Sequence, residues 1–384
     1  MGRYRSQLFI LIAVIIAILG FIFYPQDKST PMEKGAVIIL PVKSALTTHA
    51  ALWQQYANQE SIIALLHQSN MHPILQVEDV INLLAQNASY IEDTRPLKLS
   101  QLLTQSGAAL VADTTLSKED GSYHLNYHLY GPNLHQAGQV SAEDMKSLYL
   151  DFAELINQKT GAAVSVKNIT STYFFDNQLL ILALQQLQYS ELDNAEVLLD
   201  ELLVTEENNL IAQRQKAEIR LKKGDYSKAD KLVNTGLIQA NSINNRRESA
   251  RLGLTLSKSY IEQRELTRAL STLSLSRTHA ANSQDWLYLA YIAAWAGYVN
   301  QRLGRYDTAS QQYQLSVDYH KMVGDQAGQV IGLNNLARLA LIEYNYSTAY
   351  KYVKQSVDIV TQKQLTKLKE ETMLLLSKVE NKQQ

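Results

Sequence analysis

The chain has 384 residues, of which 46% are hydrophobic and 19% are charged, and its formal net charge is −1. This length allows two or three domains, and the near-zero net charge gives no bulk attraction to nucleic acid, so no nucleic-acid partner is expected. Cysteine is absent, which excludes disulfides, thiolate metal sites and a thiol nucleophile.

Residues 8–24 form an apolar run, LFILIAVIIAILGFIFY, without a charge. As a helix this run is about 25 Å long, near the lower limit for crossing a bilayer. Arg3 and Arg5 precede it, so the positive-inside rule assigns a tail of residues 1–7 to the cytoplasm. A cleaved signal peptide is the alternative, but the run ends in Phe-Ile-Phe-Tyr-Pro rather than in small residues. The sequence predicts a single-pass bacterial inner-membrane anchor, a linker over 25–35, and a periplasmic location for the rest.

The next segment, residues 36–165, carries the pattern of a small α/β domain. Short runs of branched apolar residues indicate strands, and apolar residues at helical spacing indicate helices. Asp120-Gly121 and Gly131-Pro132 read as turns between strands. The predicted order is a strand at 36–42, a helix up to about 69, a strand at 74–77, helices at 78–86 and 100–105, a meander of strands at 108–116, 123–130 and 136–140, and a helix at 143–158.

Two strings in this segment resemble a known module. "GAVIILPV" is similar to the opening strand, and "GAALVADTTLSKEDGSYHLNYHLYG" to the meander, of the TolB N-terminal-like α/β domain. That domain precedes helical repeats in the periplasmic halves of CadC-type (ToxR-like) transmembrane regulators. Those regulators also carry a cytoplasmic winged-helix domain, which residues 1–7 cannot form. The resemblance therefore implies the sensory half of such a regulator without its DNA-binding half.

The second half of the chain repeats. Five alanines are spaced 34, 40, 40 and 40 residues apart, and each has a small residue twelve positions earlier and a bulky residue four positions later. Such a period is typical of stacked helical hairpins, in which small residues let two helices cross closely. The alanines are Ala195, Ala229, Ala269, Ala309 and Ala349.

These units resemble tetratricopeptide repeats, most clearly in "GLNNLARLALIEYNYSTAYKYVKQSVDIV". The fold class is therefore predicted as α+β: one transmembrane helix, the small α/β domain, and an all-α tetratricopeptide superhelix. Five repeats are expected over 173–362, and a capping helix and tail over 363–384.

The resemblance implies a binding groove, because the first helix of each hairpin lines the concave wall in this family. The second, fifth and ninth positions of each unit would face the groove, which in the second unit gives Ile211, Arg214 and Glu218. Bases and tyrosines together suit a carboxylate or an acidic peptide, although inter-repeat salt bridges are the alternative role for the same residues. The predicted partner-binding residues are Arg251, Lys258, Tyr291, Tyr298, Asn334 and Arg338.

Charge is unevenly distributed where the repeats begin. Residues 173–209 hold eight acids and no Lys or Arg, whereas residues 210–264 hold twelve bases and five acids. Two solvated faces and a charged docking surface both fit this distribution.

No catalytic set is found. The chain lacks the common phosphate-loop, nucleophile-elbow and metalloprotease motifs, and His124 and His128 are too far apart along one strand to hold a metal alone. No enzyme activity, cofactor or metal is expected. The sequence predicts a sensory or signalling accessory that binds a protein or peptide, with a membrane regulator as one candidate partner, in the groove or at the domain junction near residues 159–172. An envelope assembly scaffold or chaperone-like adaptor that binds an extended client peptide is the alternative.

Overall fold

The computed structural model describes residues 35–46, 52–67, 72–86, 99–162 and 177–383. The predicted cytoplasmic tail, membrane anchor and nearly all of the linker lie outside these ranges. Within them, no helix combines the length and the apolar character needed to cross a bilayer. Residues 34–384 form one compact unit. We call residues 35–162 the sheet domain and residues 177–383 the solenoid.

The sheet domain is built on a mixed sheet with the strand order β1-β3-β4-β5, and the short β2 also pairs with β3. β1 and β2 run parallel to β3, and β3, β4 and β5 form the predicted antiparallel meander. The predicted strand at 74–77 is wrong. All four of these residues are described, and the segment forms one isolated bridge, between Ile74 and Val37. The elements are β1 Val37–Ile39, β2 Lys43–Ser44, α1 Leu52–Leu66, α2 Val77–Gln86, α3 Leu99–Ser106, β3 Leu110–Glu119, β4 Ser122–Gly131, β5 Leu134–Ala142 and α4 Met145–Lys159.

Alternation along the strands directs side chains to two faces of this sheet. Leu125, Tyr127 and Leu129 are buried against a layer that includes α1 and α4. The opposite face packs against α2 and α3 through a smaller cluster that includes Ile38 and Val111. This second cluster fixes α2, whose first turn contributes to the site described below.

The solenoid consists of five helical hairpins and a terminal helix. Several helices begin at an Asn or Asp whose side chain accepts a hydrogen bond from the backbone of the first turn, as Asn209, Asp225 and Asp325 do. The helix pairs are α5 Gln178–Gln188 with α6 Leu192–Thr205, α7 Leu210–Lys222 with α8 Tyr226–Ser242, α9 Arg246–Glu262 with α10 Leu266–Asn282, α11 Trp286–Arg302 with α12 Tyr306–Val323, and α13 Gln326–Ile342 with α14 Tyr346–Gln362, followed by α15 Thr366–Gln383.

The five periodic alanines lie at the helix crossings. All five have no exposed surface, and each is on the second helix of its hairpin. Their small partners on the first helices are also buried. Close helix approach at a small residue leaves no room for a larger one, so this pattern fixes how each hairpin folds.

The fourth hairpin differs from the fifth in the sizes of the packed residues. It has Tyr313 where the fifth has Val353, and Gly297 where the fifth has Ala337. A Cβ on Gly297 would lie 2.6 Å from the Tyr313 ring, which is closer than van der Waals contact allows. The larger aromatic ring is therefore accommodated by the loss of a methyl group on the facing helix.

Part of the uneven charge between the first two hairpins is offset by ion pairs across their boundary. Lys216 pairs with Asp200 at 2.5 Å, and Arg220 pairs with Glu196 at 2.7 Å. The acids lie on α6 and the bases on α7, so the two charged segments pair with each other where these helices meet.

Candidate functional site: the wall of the repeats and the first turn of α2

The first helices of the hairpins, α5, α7, α9, α11 and α13, together form the wall on which the sequence places the groove. At the second and third hairpins this wall carries Arg214 and Arg251, whose side chains are 3% and 1% exposed. Both guanidinium groups contact the first turn of α2, where Glu78 and Asp79 lie. The sheet domain therefore covers this part of the wall.

Glu78 bridges the two arginines. Its Oε1 and Oε2 accept hydrogen bonds from Nη1 and Nη2 of Arg214 at 3.0 and 2.6 Å, and Oε2 also accepts from Nη1 of Arg251 at 3.1 Å. Asp79 accepts from Nη2 of Arg251 at 2.8 Å. A guanidinium matches a carboxylate in this two-point geometry, which makes such contacts stronger and more directional than single ion pairs.

Each arginine also has a carboxylate partner within the solenoid. Nε of Arg214 donates to Glu248 at 2.9 Å, and Nε of Arg251 donates to Asp285 at 2.9 Å. Both acids come 34 residues after their arginine, at the start of the next hairpin. The Tyr288 ring also lies 4.1 Å from the Arg251 guanidinium, a favourable cation–π contact. The solenoid thus fixes both guanidinium groups and directs their Nη atoms towards α2.

The two acids of α2 respond differently to this environment. Burial would raise the pKa of Glu78, but the two arginines outweigh burial and lower it from 4.5 to about 2. Burial raises the pKa of Asp79 from 3.8 to about 6, and the carboxylates of Asp285 and Glu78 add to this effect against the opposing Arg251. Glu78 is therefore a firmly ionised anchor, whereas the pKa of Asp79 lies at about 6.

Further contacts extend the docking along the solenoid. Gln188 of the first hairpin donates a hydrogen bond to Asn82 of α2. At the end of α12, the backbone N–H groups of Gly35 and Ala36 donate to the carbonyls of residues 322 and 323 at 2.8 and 3.0 Å. Polar contacts between the two parts thus extend from the first hairpin to the end of the fourth, and buried residues of both parts, among them Ile81 and Leu184, belong to one hydrophobic cluster.

A tight glycine contact lies next to the hydrogen bonds at the end of α12. Gly324 has a φ of +81°, and a Cβ there would overlap the carbonyl oxygen of Gly107 in the sheet domain. Only a residue without a side chain allows this backbone conformation together with this approach.

A cavity of about 490 Å³ lies beside the docked α2, between the sheet domain and the solenoid. The sheet domain contributes Ile38 and Asn82 to its walls, and the solenoid contributes Tyr288, Tyr291 and Leu365. Its lining is mainly apolar with polar groups at intervals, as is common for small-molecule sites. Part of the junction predicted near residues 159–172 lies outside the described residues, and this cavity occupies another part of the contact between the domains.

The six predicted groove residues are distributed among different environments. Arg251 binds α2, and Tyr291 lines the cavity with its ring 5.5 Å from that of His320. Lys258 forms a 2.9 Å ion pair with Glu218 of the preceding hairpin. These three predicted residues already have partners within the chain, and the Lys258 pair is the inter-repeat salt bridge considered as the alternative.

The other three lie at the fourth and fifth hairpins. Tyr298 packs edge-on against Trp295 at 5.8 Å. Asn334 is buried and donates to Thr372 of α15 at 3.0 Å. Arg338 forms an ion pair with a glutamate of α15, Glu371, and the two side chains remain 38% and 56% exposed. α15 therefore closes the wall at this end.

Glu78, Asp79, Glu248 and Asp285 were not predicted as site residues from the sequence. Two signals could have indicated them. An adjacent acid pair opens an amphipathic helix, and each of the two wall arginines is followed by an acid 34 residues later. Within the described ranges, no group of three or more His, Asp or Glu residues could hold a metal ion.

The paired helices, their regular period and their small-residue crossings define the class of this chain: a protein of stacked helical hairpins, whose likeness to tetratricopeptide repeats rests on the sequence pattern. No protein-family model matches the chain. No curated protein matches it either. The likeness of the sheet domain to the TolB N-terminal-like domain, and of the chain to CadC-type regulators, stays a prediction.

Solved structures with a similar fold include a signal-transduction ATPase with numerous domains and a tetratricopeptide repeat sensor, from Pyrococcus horikoshii. It is 15% identical with a TM-score of 0.48, and the match covers 53% of this chain but only 32% of that protein. The apo form of RapI is 16% identical with a TM-score of 0.46, covering 51% of this chain and 74% of RapI. A tetratricopeptide repeat protein of Thermus thermophilus is 18% identical with a TM-score of 0.41, covering 52% and 97%. The repeat assignment depends on the hairpins of this chain and not on these matches.

Proposed function

We propose that this protein is a non-catalytic binding protein, anchored in a bacterial inner membrane by residues 8–24, that acts in the periplasm as a sensory or signalling accessory. The observation that carries the proposal is the docking of a folded domain onto the wall of the repeats through Arg214 and Arg251. A wall that recognises one protein surface by charge complementarity is suited to recognising others.

The sensory part of the proposal draws support from the cavity between the domains. A protein segment or small effector bound there would contact Tyr288 and Tyr291 of the solenoid and Asn82 of the sheet domain together. Binding at such a junction changes the equilibrium between docked and separated domains when the ligand prefers one of them. A change of that kind is what a membrane-bound partner could detect.

The test combines genetics with crosslinking of the full chain in its membrane. We expect deletion of the gene to alter a transcriptional response to envelope conditions, and the full chain to crosslink to a membrane regulator on the periplasmic side. A chain with residues 8–24 replaced by a cleavable signal peptide is the control for anchoring, and it should be released from the membrane fraction. Unchanged transcription after deletion would reject the signalling role.

An envelope assembly scaffold is the second candidate. It is favoured by the exposed remainder of the wall near the fifth hairpin, where Ile331 is 47% exposed and Arg338 is partly accessible. Such a surface could hold an extended client segment. We expect Arg338→Glu to abolish client capture with little effect on folding, because the ion pair that it breaks is exposed. Capture that persists in this variant would exclude this end of the wall as the client site.

A further inference from the structure

Residues of the solenoid alone position the guanidinium groups of Arg214 and Arg251. Each guanidinium is held through Nε by an acid of the next hairpin, Glu248 or Asp285. The Nη atoms are directed towards α2, as two forks on successive hairpins. Planar forks held in this way are pre-organised to receive carboxylates.

The occupant seen in the structure matches these forks through two adjacent residues. Glu78 spans both arginines and Asp79 adds a second contact to Arg251. Both acids lie in the first turn of α2, where the positive end of the helix dipole also favours negative charge. The recognised feature is therefore a helix that begins with two neighbouring carboxylates.

The separated state would not leave the arginines without partners. If α2 left the wall, Arg214 would keep Glu248, and Arg251 would keep Asp285 and the Tyr288 ring. The two acids of α2 would return to water, where carboxylates are well solvated. Exchange of one acidic segment for another at this site therefore avoids the large penalty of an unpaired buried charge.

We propose that the Nη atoms of Arg214 and Arg251 form a receptor for adjacent carboxylates, which the chain's own α2 occupies, and that a partner protein binds there with an acidic helix start of the same chemistry in place of α2. This inference rests on the proposed role of the repeats in binding a protein partner. It adds the chemistry of that partner, and it adds the displacement of α2 as the step that opens the site.

The experiment measures binding of a fluorescent synthetic peptide with the sequence of residues 72–86 to the full-length protein in detergent. We expect the variant Glu78→Gln/Asp79→Asn to bind this peptide at least tenfold more tightly than the wild type, because its own α2 competes less well. The single variant Glu78→Gln should give at least the same gain, because the arginines stabilise the charge of Glu78, whereas burial disfavours the charge of Asp79. It also serves as the test if the double variant does not fold.

Two controls define the site. Glu119→Gln/Asp120→Asn changes an adjacent acid pair in the exposed turn between β3 and β4, and should leave peptide affinity at the wild-type level. Adding Arg214→Met and Arg251→Met to the double amide variant should remove the gained binding. A peptide with Gln and Asn in place of its two acids should bind none of the proteins above background.

Equal affinity for the wild type and the amide variants would overturn the proposal, as would no binding to any of them or binding that survives loss of both arginines. These outcomes are separate from the proposed function. The peptide can bind as expected in a protein whose deletion leaves transcription unchanged, which would reject signalling while keeping the receptor site.

Discussion

The middle and the C-terminal end of the repeat wall use the same residue type in different ways. At the third hairpin, Arg251 is buried and bound to acids of both the sheet domain and the solenoid. At the fifth hairpin, Arg338 is partly exposed and bound to Glu371 of α15. Both arginines lie on the first helix of their hairpin, so the difference in their expected contributions comes from burial and from what covers the wall.

The largest expected effect is the difference in unfolding free energy between variants of these two arginines. Arg251→Met leaves the buried carboxylates of Glu78, Asp79 and Asp285 without one of their shared cations, and removal of one partner from a buried pair costs about 3–5 kcal/mol. Arg338→Met breaks a pair in water and should cost less than about 1 kcal/mol. Urea unfolding of the two variants measures the difference. Equal losses would mean that burial does not distinguish the two arginines.

The second prediction concerns how the stability of the protein depends on pH through Asp79. The pKa of Asp79 is raised from 3.8 to about 6 in the folded protein, so the folded state binds this proton more tightly than the unfolded state. The resulting stability is fully present below pH 3.8 and is lost as the pH rises through 6. Relative to Asp79→Asn, the wild type should gain at most about 3 kcal/mol between about pH 7 and about pH 4.5, as measured by urea unfolding at each pH.

The comparison with Asp79→Asn isolates this group from others that titrate nearby. Burial, with Arg247 and Arg251, lowers the pKa of His67 well below its usual value of 6.5, so His67 destabilises the fold as the pH falls below that value. That contribution is common to both proteins and cancels in their difference. Parallel stability curves across this acidic range would contradict the assignment of the titration to Asp79.

The third prediction tests packing at the fourth hairpin, at a contact that involves no ion pair. Gly297→Ala places a methyl group against the Tyr313 ring, and overpacking of this kind costs about 1–3 kcal/mol. In a Tyr313→Val background, which restores the residue type of the fifth hairpin, the same substitution should cost much less. A double-mutant cycle on unfolding free energies measures the coupling. Additive effects would show that the two residues do not compete for the same space.

The smallest effect is expected where α15 closes the wall. Asn334→Ala removes the donor to the Thr372 hydroxyl in a buried position, and loss of one such hydrogen bond costs about 1 kcal/mol. Thr372→Val is the matched variant, and the double variant should cost less than the sum of the two. Thermal unfolding of the three variants provides the measurement. A loss as large as that of Arg251→Met would remove the contrast between the middle of the wall and its C-terminal end.

The hairpins could be predicted from sequence because their packing is local and periodic. Ala309 and Ala349 repeat the same contact at a fixed spacing. The docking could not be predicted in this way, because Glu78 and Arg251 are 173 residues apart and no period links them. Residues 74–77 have the composition of a strand, but only one bridge forms there, since the chain turns into α2 at once.

The two backbone hydrogen bonds from Gly35 and Ala36 to the end of α12 have a mechanical consequence. They attach the chain to the solenoid just after the proposed tether and before β1 begins. Among the described residues, these two bonds are the first contacts with the solenoid that tension entering at Gly35 would load. Such a load would pass directly from Gly35 and Ala36 to the end of the fourth hairpin, far along the chain from the point where the force enters.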